Sequence, residues 1–138
     1  MNRTVTISVL VLAFIGGFLI FYQNRLTEQK LESKVDDQAL VTVAVTPINI
    51  SSQSKEWKFD IVMDTHSVEL DQDMTESAVL IDGQDKEYKP IGWEGPSGGH
   101  HREGVLVFDP IEPMPKYIEL KIKNIGGVTE RLFKWNIE

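Results

Sequence analysis

Residues 118–137, IELKIKNIGGVTERLFKWNI, decide the fold. Ile118, Leu120 and Ile122 alternate with Glu119, Lys121 and Lys123. After Gly126-Gly127, Phe133, Trp135 and Ile137 alternate with Lys134 and Asn136. A period of two puts alternate side chains on opposite faces of an extended chain, so each half predicts a strand with one buried face. The glycine pair between them marks the turn.

The same signature recurs upstream. In Trp57–Met63 the odd positions are apolar. Ala78–Ile81 is a short apolar run closed by Asp82-Gly83, and Val105–Phe108 is another, closed by Asp109-Pro110. Ala39–Val45 is rich in β-branched residues and bounded by Pro47, and Val68–Leu70 and Tyr88–Trp93 are candidates for further short strands. Frequent turn signals without helical periodicity predict an all-β domain over residues 39–138. The expected architecture is an immunoglobulin-like antiparallel β-sandwich of about seven strands. Trp57, Phe59, Phe133 and Trp135 share the inward parity and are expected in its core.

The N-terminal part reads differently. No charged residue occurs from Thr4 to Asn24, and Val5–Phe21 is almost wholly apolar. A helix of about 20 residues spans a hydrocarbon layer of about 30 Å, so residues 1–23 are expected to form a transmembrane anchor. A cleaved signal peptide would end in a small-x-small site, whereas this run ends in Phe18-Leu19-Ile20-Phe21-Tyr22. Residues 24–38 are polar and are expected to form a stalk that continues the helix and then frays. Arg25, Lys30 and Lys34 follow the span against Arg3 before it, a count that favours a cytoplasmic domain. An N-terminal anchor ahead of a β-sandwich is nevertheless a common arrangement for exported domains. An extracytoplasmic domain, periplasmic or at the cell surface, is the expectation adopted.

Composition excludes several function classes. With no cysteine there is no disulfide, zinc–thiolate or thiol chemistry. The net charge is −7, and the 10 Lys/Arg and 17 Asp/Glu after residue 38 account for all of it. So acidic a domain repels phosphate backbones, and nucleic acid is not an expected partner. Ser67 and Ser97 lie near histidines but lack any nucleophile-elbow context, and Gly98-Gly99 is not followed by a P-loop lysine. A non-enzymatic protein is expected.

The remaining chemical signal is the set of three histidines. His66 follows the Trp57–Met63 strand in Asp64-Thr65-His66, and His100 and His101 sit in the glycine-rich segment Gly95–Arg102. Neutral imidazole is the commonest metal ligand, and carboxylates often complete its shell. In extended backbone Asp64 and His66 would share a face. The expected ligands are His66 and His100, then His101 and Asp64, with Glu94 and Glu103 on the loop flanks. Such a thiolate-free set suits a copper(II) or zinc ion. The opposing reading is a solvent-exposed glycine loop with His66 capping a turn. Glu69, Asp71 and Asp73 alternate like the start of a calcium loop, but Met74 and Leu80 stand where that loop needs Gly and Glu. A solvated, charged strand edge is the better account there.

The stretch from Trp57 to Trp135, with Asp64-Thr65-His66 and Gly98-Gly99-His100-His101-Arg102, resembles the CopC-like periplasmic copper-binding domains. The resemblance implies a β-sandwich holding Cu(II), with Asp64 and His66 as the Asp-x-His pair and His100 or His101 as a further imidazole. Two functions follow as expectations. One is a membrane-anchored module that captures, buffers or delivers copper or zinc, working beside the membrane with a metal-delivery partner. The other is an accessory or interaction subunit of a membrane complex, with the Gly/His loop as its contact surface.

Overall fold

Alternation sets the strands, and the two inward faces meet in one core. The computed structural model describes residues 15–17 and 30–137; the rest of the expected anchor, residues 1–23, lies outside the described residues. Among the described residues no helix is long and apolar enough to cross a membrane. Nine strands follow in order: β1 (Lys34–Gln38), β2 (Val41–Ile48), β3 (Trp57–Thr65), β4 (Ala78–Asp82), β5 (Glu87–Tyr88), β6 (Gly92–Glu94), β7 (His101–Phe108), β8 (Tyr117–Ile125) and β9 (Val128–Asn136). One helical turn, α1 (Met74–Ser77), precedes β4.

The strands form two antiparallel sheets, ordered β1-β2-β3-β7-β6 and β5-β4-β8-β9. The chain is therefore an all-β sandwich. Trp57, Phe59, Ile61 and Met63 on β3 face Ile118, Leu120 and Ile122 on β8 and Phe133 and Trp135 on β9, all of them buried. Phe59 meets Phe108 edge-on at 5.6 Å between ring centroids, and Trp135 lies 5.8 Å from Phe59 on the other side. Full burial of each such side chain contributes about 1.5–3 kcal/mol, so this layer dominates the stability of the fold.

Several expected boundaries move. Residues 34–38, read as the end of a stalk, are instead strand β1, paired with β2 from Lys34↔Val45 to Gln38↔Val41. Polar composition hid the strand because it is short and lies at the sheet edge, where only Asp36 and Lys34 turn partly inward. Pro47 does not bound β2 but lies within it, opposite Phe59 and beyond the last residue that β1 pairs. A residue without an N–H is tolerated at such an edge position. Tyr88–Trp93 splits between the two sheets as β5 and β6. Val68–Leu70 is not a strand, although Leu70 is fully buried. The Asp82-Gly83 turn is as expected. Burial works to raise the Asp82 carboxyl pKa, but the Gln84 and Lys86 amides and the Tyr88 hydroxyl donate to it and lower it overall.

A buried arginine ties the first strand to the opposite sheet. Arg131 on β9 is wholly buried, at an inward position shared with Phe133 and Trp135. Its Nη1 donates to Asp36 Oδ1 at 2.6 Å, and its Nη2 donates to the Gln38 carbonyl at 2.9 Å and the Ile125 carbonyl at 3.3 Å. Nearby, Trp135 Nε1 donates to the Glu32 carbonyl at 2.7 Å. Removing one member of a buried pair strands the other charge, so Asp36→Ala should cost about 3–5 kcal/mol in urea denaturation. Asp36→Leu combined with Arg131→Met should recover part of that loss, because no charge stays buried while the Gln38 and Ile125 carbonyls lose their Nη2 donor.

Candidate functional site

The strand register gives the sandwich two poles. Gln38, Val41, Thr65 and His101 lie at the same end of the first sheet, and Gly126, whose added Cβ would strike Val41, brings the β8–β9 turn to that end. The histidine-bearing segments 66–73 and 95–100 meet there too. Gly98 and Gly99 adopt φ of +91° and +84°, which side-chain-bearing residues rarely do. That conformation lets Gly98 N–H donate to the Leu70 carbonyl at 2.8 Å while Leu70 N–H donates to Gly99 O at 3.0 Å. Glu69 Oε1 accepts from Gly99 N–H. The two loops are thus stitched together by their backbones.

Arg102 locks them from beneath. It occupies an inward position of β7, on the parity of Gly104, Leu106 and Phe108, and is only 2% exposed. Its Nε donates to Pro96 O at 2.7 Å, and Nη1 donates to Leu70 O at 3.1 Å and Gln72 O at 2.7 Å. The guanidinium lies 4.9 Å from the Trp93 ring, whose Nε1 also donates to Pro96 O. Trp93 can lie there because position 104 is glycine: an added Cβ would sit 2.5 Å from its ring. Burial lowers the Arg102 pKa, and Asp71 and Asp73 oppose that shift. The acidic segment 69–73 is therefore not a strand edge. Its residues anchor a loop, and Asp73 caps α1 by accepting from the Thr75 hydroxyl and amide. Those two bonds, the hydroxyl's first, hold its carboxyl below the ordinary range.

On this base the histidines take distinct places. His101 opens β7 directly opposite Asp64 on β3. Its Nδ1 lies 2.5 Å from Asp64 Oδ1, and its Nε2 lies 3.9 Å from Glu103 Oε2. All three side chains are well exposed, His101 at 61%. His100 lies just before β7, with its carbonyl accepting from Thr65 N–H at 2.9 Å and its side chain exposed. His66 lies just past the end of β3, in a bend, also exposed. The shared face expected for Asp64 and His66 needs extended backbone, and β3 ends between them. The unit the fold assembles is instead the cross-strand pair Asp64–His101. Glu94 is drawn away to Lys58, 3.4 Å distant. Met63 is a core residue, as its parity predicts. Among the described residues no group of three or more His, Cys, Asp or Glu side chains is arranged to hold a metal ion.

Sequence reasoning missed the structural part of Arg102. The available signal was an arginine on the inward parity of an apolar strand. The Asp64–His101 pairing was not legible, because it depends on the register between strands 37 positions apart in the chain.

The fold and its pole define a class: an antiparallel β-sandwich with a preformed imidazole–carboxylate pair on a braced loop platform. No protein-family model matches the chain, and no curated protein or solved structure matches it.

Two outcomes follow from this geometry. The hydrogen bond that His101 donates to Asp64, and then that carboxylate's charge, raise the His101 pKa above the ordinary 6.5, with Glu103 adding to the shift. The pair's contribution to stability is complete below the unfolded value and is lost as pH rises through the raised one. An NMR titration should find His101 titrating above 6.5 and moving back toward it in Asp64→Asn. Separately, Arg102→Met leaves the Gln72 carbonyl without its donor and takes one of two donors from the Pro96 and Leu70 carbonyls, at about 1–3 kcal/mol for an acceptor left unpaired and buried. Hydrogen exchange at the Leu70 and Gly98 amides should accelerate in that variant.

Proposed function

We propose that this chain is a membrane-tethered, extracytoplasmic domain that captures a divalent transition-metal ion, copper(II) or zinc, for buffering or delivery. The domain is read as immunoglobulin-like. With β2-β3-β7-β6 taken as strands A-B-E-D and β5-β4-β8-β9 as C′-C-F-G, the order follows that fold, and β1 is an added edge strand. A β-sandwich is also the architecture that the likeness to the CopC-like domains implies. The ligand assignment differs from the one that likeness implies.

The observation that carries the reading is the orientation of His101. A neutral imidazole has one N–H, and Asp64 at Nδ1 favours that proton there. The Nε2 lone pair is then left for a ligand. Metal-bound histidines characteristically donate their other N–H to a carboxylate in this way. Glu103 Oε2 is 3.9 Å from Nε2, too far for a hydrogen bond. Two bonds of about 2.0–2.2 Å to a shared ion would bridge that gap. His101 and Glu103 are therefore the proposed first ligands. Asp64 acts through His101, and His100 and His66, on the two segments that meet at this pole, are proposed to complete the shell. A site this exposed suits an ion that is exchanged rather than stored.

Titration of residues 30–138 with Zn(II) or Cu(II) should give one ion per chain. His101→Ala should abolish binding, and Asp64→Asn should weaken it by about 10–100-fold, the usual effect of losing a carboxylate behind a ligating histidine. Affinity should fall as pH drops through the raised His101 value, because the proton competes for the ring. Binding that is unchanged in His101→Ala would sink the assignment.

A further inference from the structure

The chain enters the sandwich at the pole opposite the histidines. Strand β1 runs from Lys34, level with Val45 and Ile61, up to Gln38, level with Val41 and Thr65. Before Lys34 the path continues the other way: Ser33 meets Thr46 through their hydroxyls, and the Glu32 carbonyl receives Trp135 Nε1. Trp135 lies near the lower end of β9, where Asn136 pairs with Tyr117 and Ile137 N–H donates to Lys116 O. Leu31 packs against the core there. Residues 31–33 thus lie toward the end that carries the 49–56 and 109–116 loops.

We infer that the tethered domain holds its histidine pole away from the bilayer, so that the bound ion is exchanged with a partner in the aqueous phase and not with lipid or a membrane-embedded surface. The inference rests on the tethered reading above. Strand β3 has nine residues. At about 3.3 Å per residue it puts roughly 30 Å between the poles. Residues 24–30 form the spacer between the expected anchor and Leu31. At no more than about 3.5 Å each they reach roughly 25 Å. Turning the histidines toward the membrane would require this spacer to run back along the whole domain, which exceeds its reach. Arg131, Trp135 and the β1–β2 pairing hold residues 32–38 in place, so the entry point cannot move to the other pole without losing those bonds. The partner this arrangement fits is a water-borne ion carrier, or the projecting domain of another protein, that approaches the loops from above.

The chain has no cysteine, so single labels can be introduced cleanly. The full-length protein is reconstituted in phosphatidylcholine vesicles containing a headgroup energy acceptor, with a donor dye at Lys55→Cys in the lower loop or at Ser67→Cys beside His66. A second pair, Gln53→Cys and Ser97→Cys, guards against a local effect of either label. Over a separation of roughly 30 Å, transfer from residues 67 and 97 should be roughly half or less of that from residues 55 and 53. Equal or greater transfer from 67 and 97 in protein that floats with the vesicles overturns the orientation and leaves the tether standing. Protein that does not float with the vesicles overturns the tether and this inference together, while the ion titration above still tests the site.

Discussion

The platform under the histidines depends on one guanidinium placed where a strand would ordinarily carry an aliphatic side chain. Arg102 points inward from β7, yet among the described residues it forms no ion pair with a carboxylate. Its fork of donors is spent on main-chain carbonyls from two loops, a pattern that a lysine or a hydrophobe could not supply. Two irregular segments thereby gain the rigidity of the sheet below. Ligand geometry set on loops is usually imprecise; here the loops are braced from the core side, and their outer side chains stay exposed.

Much of this architecture was legible in the sequence. The odd positions of Trp57–Met63 and the alternation of Ile118–Ile122 and Phe133–Trp135 give their faces without ambiguity, since a one-residue slip would bury Lys58, Lys121 or Lys134. What stayed hidden follows a different rule. Strand β1 has little alternation, because an edge strand needs only one partner and little core. Arg102 and Arg131 obey the inward parity but contradict its hydrophobic expectation, and only the positions of nearby carbonyls explain them. The histidine cluster was visible as composition, while the partnership of Asp64 with His101 rather than His66 depended on strand register.

The exposed pair and the buried arginines divide the electrostatics of the domain between them. Arg131 with Asp36 is sequestered, and its worth lies in fixing where β1 docks. Asp64 with His101 is open to solvent, and as an ion pair it contributes little to stability. Its effect is on the ring: which nitrogen carries the proton, and which is left to face outward.

The docking of residues 32–38 has one more consequence. Strand β9 is the outermost strand of its sheet and is nine residues long, and β1 with the Glu32 carbonyl lies beside its inward-facing side chains. A domain trimmed to begin at Ala39 would lose that neighbour, uncover Arg131 and Trp135, and leave the eight-residue strand β2 as the edge of its own sheet. Unpaired strand edges of this kind recruit strands from other molecules. The polar segment that resembles a mere spacer thus doubles as a guard against aggregation.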